Sequence, residues 1–160
     1  MKTIKTLILS AVIVSTSLLG GLASAGDYYG KQKVVYHINY DNPKAQTGAL
    51  RNIQNHINAV GAENLEVVVV LHGNGLSLLL DPASLERLTK FKHANADQNM
   101  TANVANLKNQ GVNFAICNNT IKGRKVQMSD LYDVDDKDIV PSGVAQLSKL
   151  QQEGYTYIKP

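Results

Sequence analysis

Residues 65–73, LEVVVVLHG, contain a run from Val67 to Leu71 in which five apolar side chains follow one another without alternation. Successive side chains of a strand point to opposite faces, so such a strand is apolar on both sides. A run this short cannot cross a bilayer. It fits the middle of a parallel sheet that carries helices on both faces. The remaining segments must then supply those helices and the neighbouring strands.

They do so in alternation. KVVYHINY (33–40) reads as a strand. Asn42 is a suitable helix cap and Pro43 a suitable first helical residue. Leu50, Ile53, Ile57 and Val60 recur at helical spacing up to a stop at Gly61. After the 65–73 strand, DPASLERLTKF (81–91) predicts a short helix capped by Asp81. Met100, Val104 and Leu107 predict another helix, ended by Gly111. VNFAIC (112–117) is a third strand with a buried pattern. Ser142 caps a helix carrying Val144, Leu147 and Leu150, and YTYI (155–158) is a last strand. The alternation predicts an α/β chain, a three-layer α/β/α sandwich around a mostly parallel sheet.

The first 25 residues have a different character. Lys2 and Lys5 precede an apolar stretch from Leu7 to Leu19, and Ala23, Ser24 and Ala25 form a small-residue cleavage signal. This is the pattern of a cleavable secretory signal peptide, and it predicts a periplasmic protein whose single mature domain is residues 26–160. The whole chain has 16 basic and 13 acidic side chains. Without the two leader lysines the mature part has 14 basic residues and a formal charge of +1. Bulk charge therefore gives no reason to expect a nucleic-acid or membrane-surface partner.

In open parallel sheets the functional crevice lies beyond the carboxyl ends of the strands. The first strand ends in His37, Ile38, Asn39, Tyr40 and Asp41, the second in His72, Gly73, Asn74 and Gly75, and the third in Cys117, Asn118 and Asn119. If these strands are neighbours, one thiol, two imidazoles and several amides share an edge. Cys117, His72 and His37 are the candidate catalytic residues. Asn39, Gly73, Asn74, Gly75, Asn118, Asn119 and Thr120 are candidates for binding. His56 and His93 are expected at the surface.

Cys117 is the only cysteine. A lone cysteine in an exported chain is buried and inert, reactive, metal-bound or paired between subunits. Free cysteine often packs as a small hydrophobe, but this one ends a strand and is followed at once by polar residues. A short helix is expected from Asn118 to Lys122. At its start a thiol meets backbone N–H groups and the positive end of the helix dipole, which favour the thiolate. Lys122, Arg124 and Lys125 add positive charge nearby. The expectation is an unpaired, partly accessible thiol, more acidic than free cysteine.

Other patterns fall short. Cys117, His72 and His37 have ligand types that suit zinc, but no close-spaced ligand pair accompanies them, so neither a metal nor another cofactor is expected. DVDDKD (133–138) lacks the glycine and the closing glutamate of a calcium loop and reads as a solvated acidic loop. The GNG turn lacks the rest of a dinucleotide fingerprint.

The segments KVVYHINYDNP, NIQNHINAVGAENLEVVVVLHGNGLSLLL, GVNFAICNNT and VPSGVAQLSKLQQEGYTYIKP together resemble the DsrE/DsrF-like family, and more closely its exported single-domain members. The resemblance covers the mature chain. It implies a five-stranded parallel sheet, homo-oligomers such as trimers or hexamers, and a sulfur carrier or sulfurtransferase component in which Cys117 accepts sulfane sulfur as a persulfide from a donor protein or passes it to an acceptor. The leucines of LSLLLDP (76–82) are either part of a subunit contact or ordinary core. The alternative to sulfur relay is a non-catalytic oligomeric module that binds a small ligand or a protein in the same crevice.

Overall fold

A computed structural model describes residues 28–160. The expected signal peptide lies outside the described residues. The sheet has five strands, β1 (Gln32–Ile38), β2 (Leu65–Leu71), β3 (Asn113–Cys117), β4 (Ile139–Val140) and β5 (Thr156–Ile158). They lie in the order β4-β3-β2-β1-β5, and every pair is parallel. The helices are α1 (Pro43–Val60), α2 (Gln98–Asn109), α3 (Asn118–Arg124) and α4 (Gly143–Gln152).

The uninterrupted run in β2 is the centre of the sheet, as its composition requires. Val69 and Leu71 face one side, with Val34, Tyr36 and Ile38 of β1 and Phe114 and Ile116 of β3, and pack against Ile53 and Ile57 of α1 and Val104 and Leu107 of α2. Val68 and Val70 face the other side with Val35 and Ala115, under Leu147 and Leu150 of α4. Each fully buried aliphatic side chain of this kind contributes about 1.5–3 kcal/mol through burial. Among the described residues, two helices therefore cover one face and α4 covers the other.

Helix starts follow the cap residues. Asn42 Oδ1 accepts from the Ala45 amide at 2.9 Å, with Pro43 in the first turn. Asp97 Oδ1 accepts from Met100, and Ser142 Oγ from Ala145. Two expectations change, and one open alternative closes. Residues 81–91 form only a 3-10 turn, Pro82–Glu86, because tethers hold the segment flat: Arg87 donates to the Lys125 carbonyl and Lys90 to that of Gly123. Such tertiary contacts override helix propensity. The leucines at 76 and 78–80 are fully buried within the chain, so they are core and give no support to a subunit contact. His56 is half-buried, its ring bridging the Tyr36 hydroxyl and Gln32 Oε1 at 2.9 and 2.8 Å.

β4 is the strand that periodicity does not reveal. It has two residues, pairing Ile116 with Ile139 and Cys117 with Val140. The acidic loop before it is pinned by Lys108 of α2, whose ammonium lies 3.0 Å from Asp133 and 3.7 Å from Asp138.

Candidate functional site

The strand register gathers the site. Ile38 pairs with Leu71, and Leu71 with Ile116, so His72 and Cys117 are the next residues on adjacent strands. Alternation puts Val35 and His37, Val70 and His72, and Ala115 and Cys117 on the face beneath α4. Tyr157 of β5 pairs with Val35 and shares that face. Cys117, His72, His37 and Tyr157 thus form one row across β3, β2, β1 and β5.

The thiol sits where two helices begin. It immediately precedes α3, and the first residue of α4 packs against it: a Cβ on Gly143 would lie 2.8 Å from His72 Cβ and 3.2 Å from Cys117 Cβ. Only glycine lets α4 start this close. Cys117 is 5 % exposed, so the expected partial accessibility is corrected to burial at the foot of a cavity. Burial pushes its pKa up. The amide of Gly143, the Thr120 hydroxyl, and the amides of Thr120 and Asn119 outweigh that and hold the thiol below its ordinary value. No capping bond forms to the neutral thiol; these donors act on the thiolate. The stabilisation comes from them rather than from the basic residues that follow in sequence.

The cavity above Cys117 has a volume of about 440 Å³ and is lined by His72, Gly73, Lys90, Asn119, Thr120 and Arg124, among others. Of the three basic residues expected here, Arg124 alone lines it. Lys90 is a second cation that sequence position did not suggest. Arg124 Nη2 donates to Asn74 Oδ1 at 2.7 Å, and the Gly73 amide donates to Thr120 Oγ1 at 2.8 Å. A second, wider cavity of about 760 Å³ lies along α4, with His37, Asn39, His72, Leu147, Gln151 and Tyr157 in its wall. His72 borders both. Neither Gly75 nor Asn118 lines either cavity.

The two imidazoles are directly coupled. His37 Nε2 and His72 Nε2 are 2.7 Å apart with the ring planes within 20° of parallel, and His37 Nδ1 is 2.7 Å from the Tyr157 hydroxyl. Burial lowers the pKa of both; His72 and Lys159 lower that of His37 further, to about 4, and Lys159 lowers that of His72. Among the described residues no three His, Cys, Asp or Glu side chains gather in a metal-binding group.

A stability consequence follows from His37. Its folded pKa lies below the unfolded value of about 6.5. The unfolded chain therefore binds more protons between those two values. The stabilisation is complete above pH 6.5 and is lost as pH falls toward 4. Urea unfolding at pH 7.5 and 4.5 is expected to show a smaller drop in midpoint for His37→Gln than for the wild type.

Sequence reading missed a buried amide cluster that fixes this edge. Gln46 Nε2 donates to the Tyr40 carbonyl at 2.7 Å and to Ser77 Oγ at 2.9 Å, while Asn95 Nδ2 donates to Gln46 Oε1 and to the Asp41 carbonyl. It ties the loop after β1 to the loop after β2. The only sequence signal for it is a glutamine on the apolar side of α1, one turn before Leu50.

Residues 33–160 match the DsrE/DsrF-like family. The chain belongs to the DsrE/DsrF-like family. That family is associated with sulfur relay in general. MTH1491 of Methanobacterium thermoautotrophicum, a solved structure of a protein of unknown function, is similar at 27 % identity with a TM-score of 0.64, over 81 % of this chain and 100 % of that one. No curated protein matches the chain. In this DsrE/DsrF-like domain the row from Cys117 to Tyr157 gathers a thiol, two imidazoles and a phenol along one end of the sheet.

Proposed function

We propose that this DsrE/DsrF-like chain is an exported sulfur carrier or sulfurtransferase component in which Cys117 accepts sulfane sulfur as a persulfide. The observation that carries this reading is the surroundings of the thiol. Backbone amides from two helix starts and the Thr120 hydroxyl favour the thiolate, at the foot of a cavity bordered by Lys90 and Arg124. A thiolate is the form that attacks sulfur. It attacks the sulfane sulfur of the donor, the new S–S bond forms, the donor S–S bond breaks, and the departing sulfur or sulfite keeps the electron pair. Location in the periplasm rests on the leader pattern of residues 1–25, and a trimeric or hexameric assembly rests on the family resemblance.

A second reading is supported by the burial of Cys117 and by the size of the neighbouring cavity: an oligomeric module that binds a ligand without sulfur chemistry. Intact mass of the mature protein after incubation with polysulfide or thiosulfate separates the two. The carrier gains one sulfur atom, lost on reduction, and Cys117→Ser gains none. Unchanged mass in the wild type favours the binding module.

A further inference from the structure

The geometry points to Tyr157 and His37 as a proton relay that serves His72 from the far side of α4, an inference that rests on the sulfur-transfer reading of Cys117. The contacts are continuous. Tyr157 Oη to His37 Nδ1 is 2.7 Å, and His37 Nε2 to His72 Nε2 is 2.7 Å. An N–H···N contact holds one proton, so the chain has two ordered states. In one, the tyrosine donates to His37, His37 donates to His72, and neutral His72 carries its one proton on Nδ1. In the other, every proton has moved one place and Nδ1 is bare.

His72 Nδ1 is the outlet of this chain. It has no hydrogen-bond partner among the described residues, and it is not a buried orphan. His72 borders the Cys117 cavity, and its Cβ and that of Cys117 both lie against Gly143. The inlet is Tyr157, which is 39 % exposed and borders the wider cavity. That cavity lies where the strand order reverses, since β1 continues to β2 on one side while the chain returns through α4 to β5 on the other. The charged or titratable groups facing the chain are Lys159 beyond β5, Cys117 on β3, and Lys90 and Arg124 across the first cavity.

The relay supplies the proton that sulfur transfer from an organic persulfide, R–S–SH, calls for. The Cys117 thiolate bonds to the outer sulfur, the R–S bond to that sulfur breaks, and R–S⁻ leaves with the electron pair. His72 Nδ1 protonates the departing thiolate. His72 Nε2 takes the proton of His37 Nε2, His37 Nδ1 takes the tyrosine proton, and the tyrosine oxygen takes one from water. Neither ring passes through an imidazolium, the form that burial disfavours in both.

The test compares the wild type with Tyr157→Phe and with His37→Gln, which can hold a hydrogen bond but cannot pass a proton. Single-turnover transfer to Cys117 is measured across pH with two organic persulfide donors, one with an acidic and one with a basic leaving thiol. Both variants are expected to be slower by about tenfold or more with the basic leaving thiol, and near wild type with the acidic one, which departs without a proton. Equal rates throughout, or equal slowing with both donors, overturns the relay. Imidazole ¹⁵N shifts read it independently of sulfur chemistry. In the wild type both Nε2 atoms are expected at values averaged between protonated and bare, and in Tyr157→Phe at fixed ones. Fixed values in the wild type overturn it. A wild type that takes no sulfur removes the proposed function, and the nitrogen shifts then decide the relay alone.

Discussion

Gly143→Ala is expected to slow the reaction of Cys117 with a sulfur donor by about tenfold or more at neutral pH. The added methyl group would sit 2.8 Å from His72 Cβ and 3.2 Å from Cys117 Cβ, tighter than these atoms tolerate. The start of α4 must withdraw, and the Gly143 amide, the largest of the influences lowering the thiol pKa, goes with it. The thiol pKa then rises. The rate of alkylation as a function of pH reads this directly, with circular dichroism as the check that the fold survives. A wild-type rate and profile would mean that α4 has no part in activating the thiol.

Gly75→Ala has the larger consequence for stability. A Cβ at this position would lie 1.9 Å from the carbonyl oxygen of Ile38, a backbone atom at the end of β1. The loop after β2 crosses β1 there and is locked by Gln46 and Ser77, so neither backbone can give way cheaply. Overpacking at so tight a contact costs about 3 kcal/mol or more, which lowers the thermal midpoint by about 10 °C in a domain of this size. Thermal unfolding checks it. A shift of less than a few degrees would show that the two strand ends are not held against each other. Gly75 is a candidate binding residue by sequence, and the structure gives it a packing role.

Much of the architecture was legible because it obeys simple periodicities. The unbroken run in β2 called for burial on both faces, and the spacing of Leu50, Ile53 and Ile57 called for a helix to cover one of them. The same alternation put His37, His72 and Cys117 at the ends of strands, and the register then makes those strands adjacent. What stayed hidden depends on contacts between distant segments. β4 is too short to carry a pattern and exists by pairing with the end of β3. Tyr157 looks like any strand tyrosine until Val35 becomes its neighbour. Lys90 belongs to a segment whose predicted helix gives way to tethers. The state of the thiol was the hardest to read, because position at a helix start argues for acidity but says nothing of the packing of α4 that buries it.

The donors around Cys117 outweigh its burial. The rate of Cys117 alkylation in the folded protein, followed from pH 5 to 10, reads this balance. A single titration is expected, with an apparent pKa below that of a free cysteine, about 8.5, and a shift upward in Thr120→Val, which removes the hydroxyl donor. A titration at or above the free value, with slow labelling at every pH, would contradict it and leave the buried thiol without sulfur chemistry.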